Sequence, residues 1–235
     1  MDRLLSERGS MDLTDIVPWG RSLQEYQLMF SLSASDLKKA ILGCGDGPAS
    51  FNAQLSAQGG NVVSVDPIYC FNAKQLRSRI LQVYNDIMPQ MQLNKDRYIW
   101  DDISSVEALG KIRMAAMDMF VEDYDLGKKQ GRYVEGSLPK LDFVDHQFDL
   151  ALCSHFLFLY SEQISLQTHI NSLWELCRVA KEVRVYPLLS LDGEPSPHLP
   201  QVISELERLN LSVDLIEVSY QFQKGATQML VIKSP

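Results

Sequence analysis

The spacing of apolar residues changes from segment to segment, and the changes mark out the elements. Leu23, Tyr26 and Phe30 recur at helical intervals behind Ser22, and Glu25 three residues after that serine completes a capping box, so a helix is predicted there. A second start signal, Ser33 to Asp36, leads directly into a strand ending at residue 42. A helix over residues 48–58 is closed by Gly59-Gly60, and residues 62–65 form strand two. The next strand lies near residues 132–135. Between the two, Leu76, Ile80, Val83 and Ile87 recur at helical steps, as do Met114, Met117, Val121 and Tyr124, which predicts a helical insertion over residues 70–130. Strand four covers 148–153. A helix over 163–179 buries Ile170, Leu173, Trp174 and Cys177, and strand five runs over 182–187 until Pro187 stops it. Pro200 begins a helix carrying Val202, Ile203, Leu206 and Leu209. The last two strands, 211–220 and 228–232, form a hairpin through Gln223-Lys224-Gly225-Ala226. Residues 1–20, with Gly9, Pro18 and Gly20, read as irregular; with the first helix they make an N-terminal helical cap over 1–35. Residues 1–235 together read as a single domain.

Strands alternating with helices define an α/β chain with a largely parallel sheet. Its first strand runs into Gly43, Cys44, Gly45, Asp46 and Gly47, three glycines at every second position. Glycines there allow a sharp turn and bring backbone amides against a ligand, because no Cβ blocks the approach. Strand two closes on Asp66, 23 residues after Gly43 (66 minus 43), where a carboxylate can accept from both hydroxyls of a ribose. A tight strand-to-helix turn would use the same glycines, but not Asp66 at that distance. A dinucleotide loop spaces its glycines G-x-G-x-x-G, so that a helix N-terminus faces the pyrophosphate; here the spacing is G-x-G-x-G, followed by Pro48.

That loop resembles motif I of class I S-adenosylmethionine-dependent methyltransferases. The resemblance spans about residues 36–233 apart from the insertion. It implies a Rossmann-like seven-stranded sheet whose last strand pair is an antiparallel hairpin, and S-adenosylmethionine as cofactor. Gly43, Cys44, Gly45 and Gly47 would pass beneath its methionine and ribose, Asp66 with Pro67 would hold the ribose, and Glu135, Gly136 and Ser137, ahead of Leu138-Pro139, would meet the adenine. Ser154 and His155 leave strand four at the edge where the transferable methyl would lie. The family usually has an acidic residue two places before the first glycine, where this chain has Ile41; Arg21 or Tyr26 of the N-terminal helix would then supply the contact to the cofactor's amino-acid end. More narrowly, residues 43–52, 148–161 and 182–189 resemble a bacterial group of predicted methyltransferases with no assigned substrate.

The net charge of -8 argues against a nucleic-acid partner, and no basic run exceeds Lys128-Lys129 with Arg132 nearby. With 46% hydrophobic residues the chain can fill a sizeable core. No signal pattern or membrane-length apolar run is present, so a cytoplasmic protein without membrane contact is expected. Cys44, Cys70, Cys153 and Cys177 are dispersed, which points to buried reduced thiols and to no metal site. Among the histidines, His155 is the candidate base for acceptors that must lose a proton, and equally a wall residue; His146, His169 and His198 are assigned no chemistry. Tyr69, Phe71, Phe156, Phe158 and Tyr160 are either acceptor-pocket walls or core. The expected function is methyl transfer to a small-molecule acceptor lying between His155 and the insertion, the insertion acting as a lid or else as a helical appendage or dimer face, in a monomer or homodimer. The alternative is a non-catalytic S-adenosylmethionine-binding regulatory or scaffold protein. A nicotinamide-dependent oxidoreductase is disfavoured by the loop spacing and the terminal hairpin.

Overall fold

A computed structural model describes residues 19–233; the sequence-predicted irregular stretch before Trp19 lies outside them. The helices are α1 (Leu23–Met29), α2 (Phe51–Ala57), α3 (Ala73–Leu93), α4 (Val106–Lys129), α5 (Leu166–Val179) and α6 (Leu199–Arg208). The strands are β1 (Ala40–Cys44), β2 (Asn61–Val65), β3 (Tyr133–Val134), β4 (Phe148–Ser154), β5 (Ala180–Tyr186), β6 (Ser212–Glu217) and β7 (Gln228–Lys233). They form one seven-stranded sheet in the order β3-β2-β1-β4-β5-β7-β6. All pairs are parallel except the two made by β7, so the seven-stranded α/β sheet with a terminal antiparallel pair is the fold expected from the sequence.

Period-two alternation in the central strands separates two cores. Leu42 and Cys44 of β1 and Ala151 and Cys153 of β4 face α5 and α6, joining Leu173, Leu176, Val202 and Leu206. Ile41, Leu150 and Leu152 point the other way, onto Tyr26 and Met29 of α1, Phe30 just after it, and Phe51 and Leu55 of α2. Ile41 is fully buried there. Burying one such side chain contributes about 1.5–3 kcal/mol, enough for these two layers to hold the central strands at a fixed height.

The segment between β2 and β3 is α3 and α4. Met117, Phe120 and Tyr124 of α4 meet Leu76 and Ile80 of α3 and Tyr133 of β3 in a third core, and Val83, Ile87 and Met91 meet Val106 and Leu109 in a fourth.

Several sequence expectations are corrected in detail. Residues 48–50 precede α2, with Ser50 as its N-cap and the Ser50 amide donating to the Arg21 carbonyl (3.0 Å). Helix α5 begins at Leu166, capped by Ser165, and its buried face is His169, Ser172, Leu173, Leu176 and Cys177; Trp174 is half exposed. Cys70 is exposed while the other three cysteines are buried. Strand β6 is shorter than predicted, ending at Glu217, whereas β7 runs one residue further, to Lys233.

Candidate functional site

Register decides which residues meet at the carboxyl edge. Cys44 pairs with Val65 on one side and with Cys153 on the other, Val65 pairs with Val134, and Ser154 with Tyr186. The next residues out, Asp66, Gly45 and Ser154, therefore stand in a row, the edge at which parallel sheets bind ligands. Above this row lies a cavity of about 440 Å³.

The glycine loop is clamped to the end of β2. Gly45 and Gly47 have φ of 69° and 52°, a region other residues seldom occupy. The Gly47 amide donates to Asp66 Oδ2 (2.8 Å) and the Ile68 amide to Oδ1 (2.9 Å). The Gly47 carbonyl accepts from the Tyr69 hydroxyl (2.7 Å), and the Tyr69 carbonyl accepts in turn from the hydroxyl of Tyr124 on α4 (2.8 Å). Burial pushes the Asp66 carboxyl up to about 6 against those two amide bonds.

Asp46 turns inward from the same loop. It accepts from the Tyr26 hydroxyl (2.7 Å) and the Ser64 hydroxyl (2.5 Å), and burial pushes it up to about 7. Ser154 Oγ lies 3.0 Å from His155 Nδ1. His155 itself has φ of 51°, with its amide bonded to the Tyr186 carbonyl (2.7 Å). Burial, then the Arg21 and Arg113 guanidiniums, hold its pKa well below the ordinary imidazole value.

At the other end, Arg113 of α4 is fully buried and donates to Glu25 Oε1 (2.5 Å), which also accepts from the Tyr220 hydroxyl (3.1 Å). Glu25 thus serves two elements, since its Oε2 accepts the Ser22 amide of the predicted capping box (2.9 Å). Arg21 projects into the same region and donates to the Trp19 carbonyl (3.2 Å). Backbone bonds from Ile99 to Phe222 (2.8 Å) and from Lys224 to Arg97 (3.0 Å) tie the α3–α4 connection to the β6–β7 connection above the cavity.

Of the sequence-predicted residues, Arg21, Tyr26, Cys44, Gly45, Gly47, Asp66, Pro67, Gly136, Ser137, Ser154 and His155 line the cavity. Gly43 lies beneath the loop, against Asp46. Glu135 is exposed, just beyond β3 and outside the lining, within electrostatic reach of Tyr124. Phe156 and Tyr160 line the cavity, whereas Phe158 is core, Phe71 is exposed and Tyr69 buttresses the loop from below. Sequence reasoning missed Asp46, Arg113, Tyr98, Tyr220 and Phe222 as lining residues. Asp46 carried a signal, a carboxylate inside the glycine run; the others come together only through the folding of remote segments.

Fold and site together define an α/β protein with a glycine-loop pocket at the carboxyl edge of a seven-stranded sheet. The chain belongs to the family of the uncharacterized protein MJ0045 of Methanocaldococcus jannaschii, to which it is 30% identical over 224 residues, covering 95% of this chain and 98% of that one. No protein-family model matches the chain. Similar solved structures include a TehB-like S-adenosylmethionine-dependent methyltransferase from Corynebacterium glutamicum (14% identity, TM-score 0.44, covering 94% of this chain and 89% of that one). Another is an S-adenosylmethionine-dependent methyltransferase from Aquifex aeolicus (16% identity, TM-score 0.40, 89% and 85%). Among the described residues no helix is long and apolar enough to cross a membrane, and no cluster of three or more His, Cys, Asp or Glu is placed to hold a metal.

Proposed function

We propose that the cavity binds S-adenosylmethionine and that the protein transfers its methyl group to a small-molecule acceptor. The observation that carries this reading is the state of the glycine loop's donors. A pyrophosphate needs open amides at a helix N-terminus. Here the Gly47 amide is taken by Asp66, Ala49 by the Asp46 carbonyl (3.2 Å) and Ser50 by the Arg21 carbonyl, while the Asp46 carboxylate occupies the loop itself. Such a site repels a phosphate and suits a cofactor that has none. Asp66 keeps lone pairs beyond the two amide bonds for ribose hydroxyls, and Val65, Ile68 and Leu138 offer an apolar bed to a base.

When bound, the cofactor supplies a methyl group on a sulfonium, whose departure as a neutral thioether needs no proton. Catalysis then rests on positioning, worth on the order of 7 kcal/mol or more in good geometry. The chain also prepares a base. Ser154 Oγ lies 3.0 Å from His155 Nδ1, and on this reading it accepts from Nδ1–H. That tautomer leaves His155 Nε2 with its lone pair, ready to take a proton from an acceptor hydroxyl or amine. The helices α3 and α4, which contribute Ile87, Met91 and Arg113 to the cavity, serve as a lid over the acceptor.

Calorimetric titration with S-adenosylmethionine, S-adenosylhomocysteine and NAD tests this reading. Binding of the first two, lost in Asp66→Ala, is expected; binding of NAD alone, or of none, overturns it.

A further inference from the structure

We infer that the methyl acceptor is a small, largely apolar carboxylic acid whose carboxylate docks between Arg21 and Arg113; this rests on the methyltransferase reading above. Two guanidiniums project into one end of the cavity, and the only carboxylate described as paired with them is Glu25. Glu25 is fully used, with Oε2 on the Ser22 amide and Oε1 shared by Arg113 and Tyr220. Among the described residues, Nε and Nη2 of Arg113 and Nε of Arg21 have no hydrogen-bond partner, although all three are buried. A fully buried guanidinium with two idle donors is expensive unless a ligand satisfies it. An anion with two oxygens matches that fork, because carboxylates take parallel bonds from a guanidinium.

The surroundings select the rest of the molecule. Trp19, Met91, Tyr98 and Phe222 form the adjoining walls, with Tyr98 and Phe222 stacked at 4.9 Å between ring centroids. They suit an aromatic or aliphatic body and leave little to satisfy a polyhydroxylated one. His155 lies within electrostatic reach of both guanidiniums. A bound carboxylate offsets those two charges at the moment His155 takes a proton, so the same anion that docks the acceptor also readies the base. The sequence placed Arg21 at the cofactor's amino-acid end; lining the same cavity as Arg113, with an idle Nε of its own, it falls to the acceptor on this reading instead.

The cofactor also carries a carboxylate, and the test separates the two sources. Protein saturated with S-adenosylhomocysteine is titrated with benzoate, phenylacetate and hexanoate, each paired with its neutral amide. At least one acid is expected to bind tenfold or more tightly than its amide, the order expected for charge-assisted hydrogen bonds. That preference should collapse in Arg21→Gln and weaken in Arg113→Lys, which retains a cation for Glu25, while S-adenosylhomocysteine affinity stays within about twofold. No acid preferred over its amide overturns the inference. So does an Arg21→Gln variant that loses affinity for S-adenosylhomocysteine but not for 5′-methylthioadenosine, which lacks the amino-acid part, because the guanidinium would then serve the cofactor. Failure of wild-type protein to bind S-adenosylhomocysteine at all would instead sink the methyltransferase reading.

Discussion

Gly43 and Asp46 occupy one space: a Cβ built on Gly43 would stand 1.9 Å from Asp46 Oδ2. The first glycine of the loop is therefore a seat for a buried carboxylate, and only indirectly a ligand contact. Gly43→Ala should drive Asp46 off the Tyr26 and Ser64 hydroxyls, at a cost of about 2–3 kcal/mol in stability. Urea denaturation reads that cost, and calorimetry should show S-adenosylhomocysteine binding at least tenfold weaker, the equivalent of about 1.4 kcal/mol. An unchanged midpoint would mean that the loop relaxes freely.

Asp46 gives the fold a pH dependence whose sign can be worked out. Its carboxyl is raised to about 7 in the folded protein from an ordinary 3.8, so the folded state holds a proton that the unfolded chain has released. Stability is favoured at low pH and lost as pH rises through 7, by roughly 1 kcal/mol between pH 6.5 and 8. The depressed pKa values of His155 and His169 act in the opposite sense over the same range, but they are common to wild type and variant. Between pH 6.5 and 8 the wild type should therefore lose roughly 1 kcal/mol more stability than Asp46→Asn does, read from paired denaturation midpoints.

For His155 the expectation is kinetic. His155→Ala should lower kcat by roughly 10²–10⁴ with cofactor affinity retained. Because burial and two guanidiniums keep the imidazole neutral, the acid limb of kcat/KM should fall below pH 6.5. A variant with wild-type kcat would leave His155 as a wall residue.

Tyr69 links the insertion to the loop by one hydroxyl. Tyr69→Phe removes the bond to the Gly47 carbonyl while keeping the ring, so a stability loss of about 1 kcal/mol and a severalfold weaker cofactor affinity are expected. Loss of stability with full affinity would show that the loop is held well enough by Asp66.

Much of the central sheet was legible because its information is local. Glycines mark the turn after β1, a carboxylate marks the end of β2, and helical or alternating periods mark what lies between. The capping box at Ser22 and Glu25 was equally local, but the sequence could not show that the same Glu25 pairs with Arg113, 88 positions later. Trp174 was misplaced because the buried face of α5 is set by His169 and Ser172, polar residues that hydrophobic periodicity does not count. Arg113 was invisible for a related reason: on a helix read from its apolar stripe, a buried arginine looks like the solvated side. Glu135 showed the converse, a residue of the right type that stands exposed beyond β3 and outside the cavity lining.

The bonds that join residues 97–99 to 222–224 also impose an order in time. Synthesis proceeds from the N-terminus, and β6 can enter the sheet only beside β7, which follows it. The glycine loop, Asp66 and the arginines can all leave the ribosome before their roof exists. The part of the cavity wall made by Tyr220, Phe222 and Gln223 is therefore complete only once the last strand pair is in place.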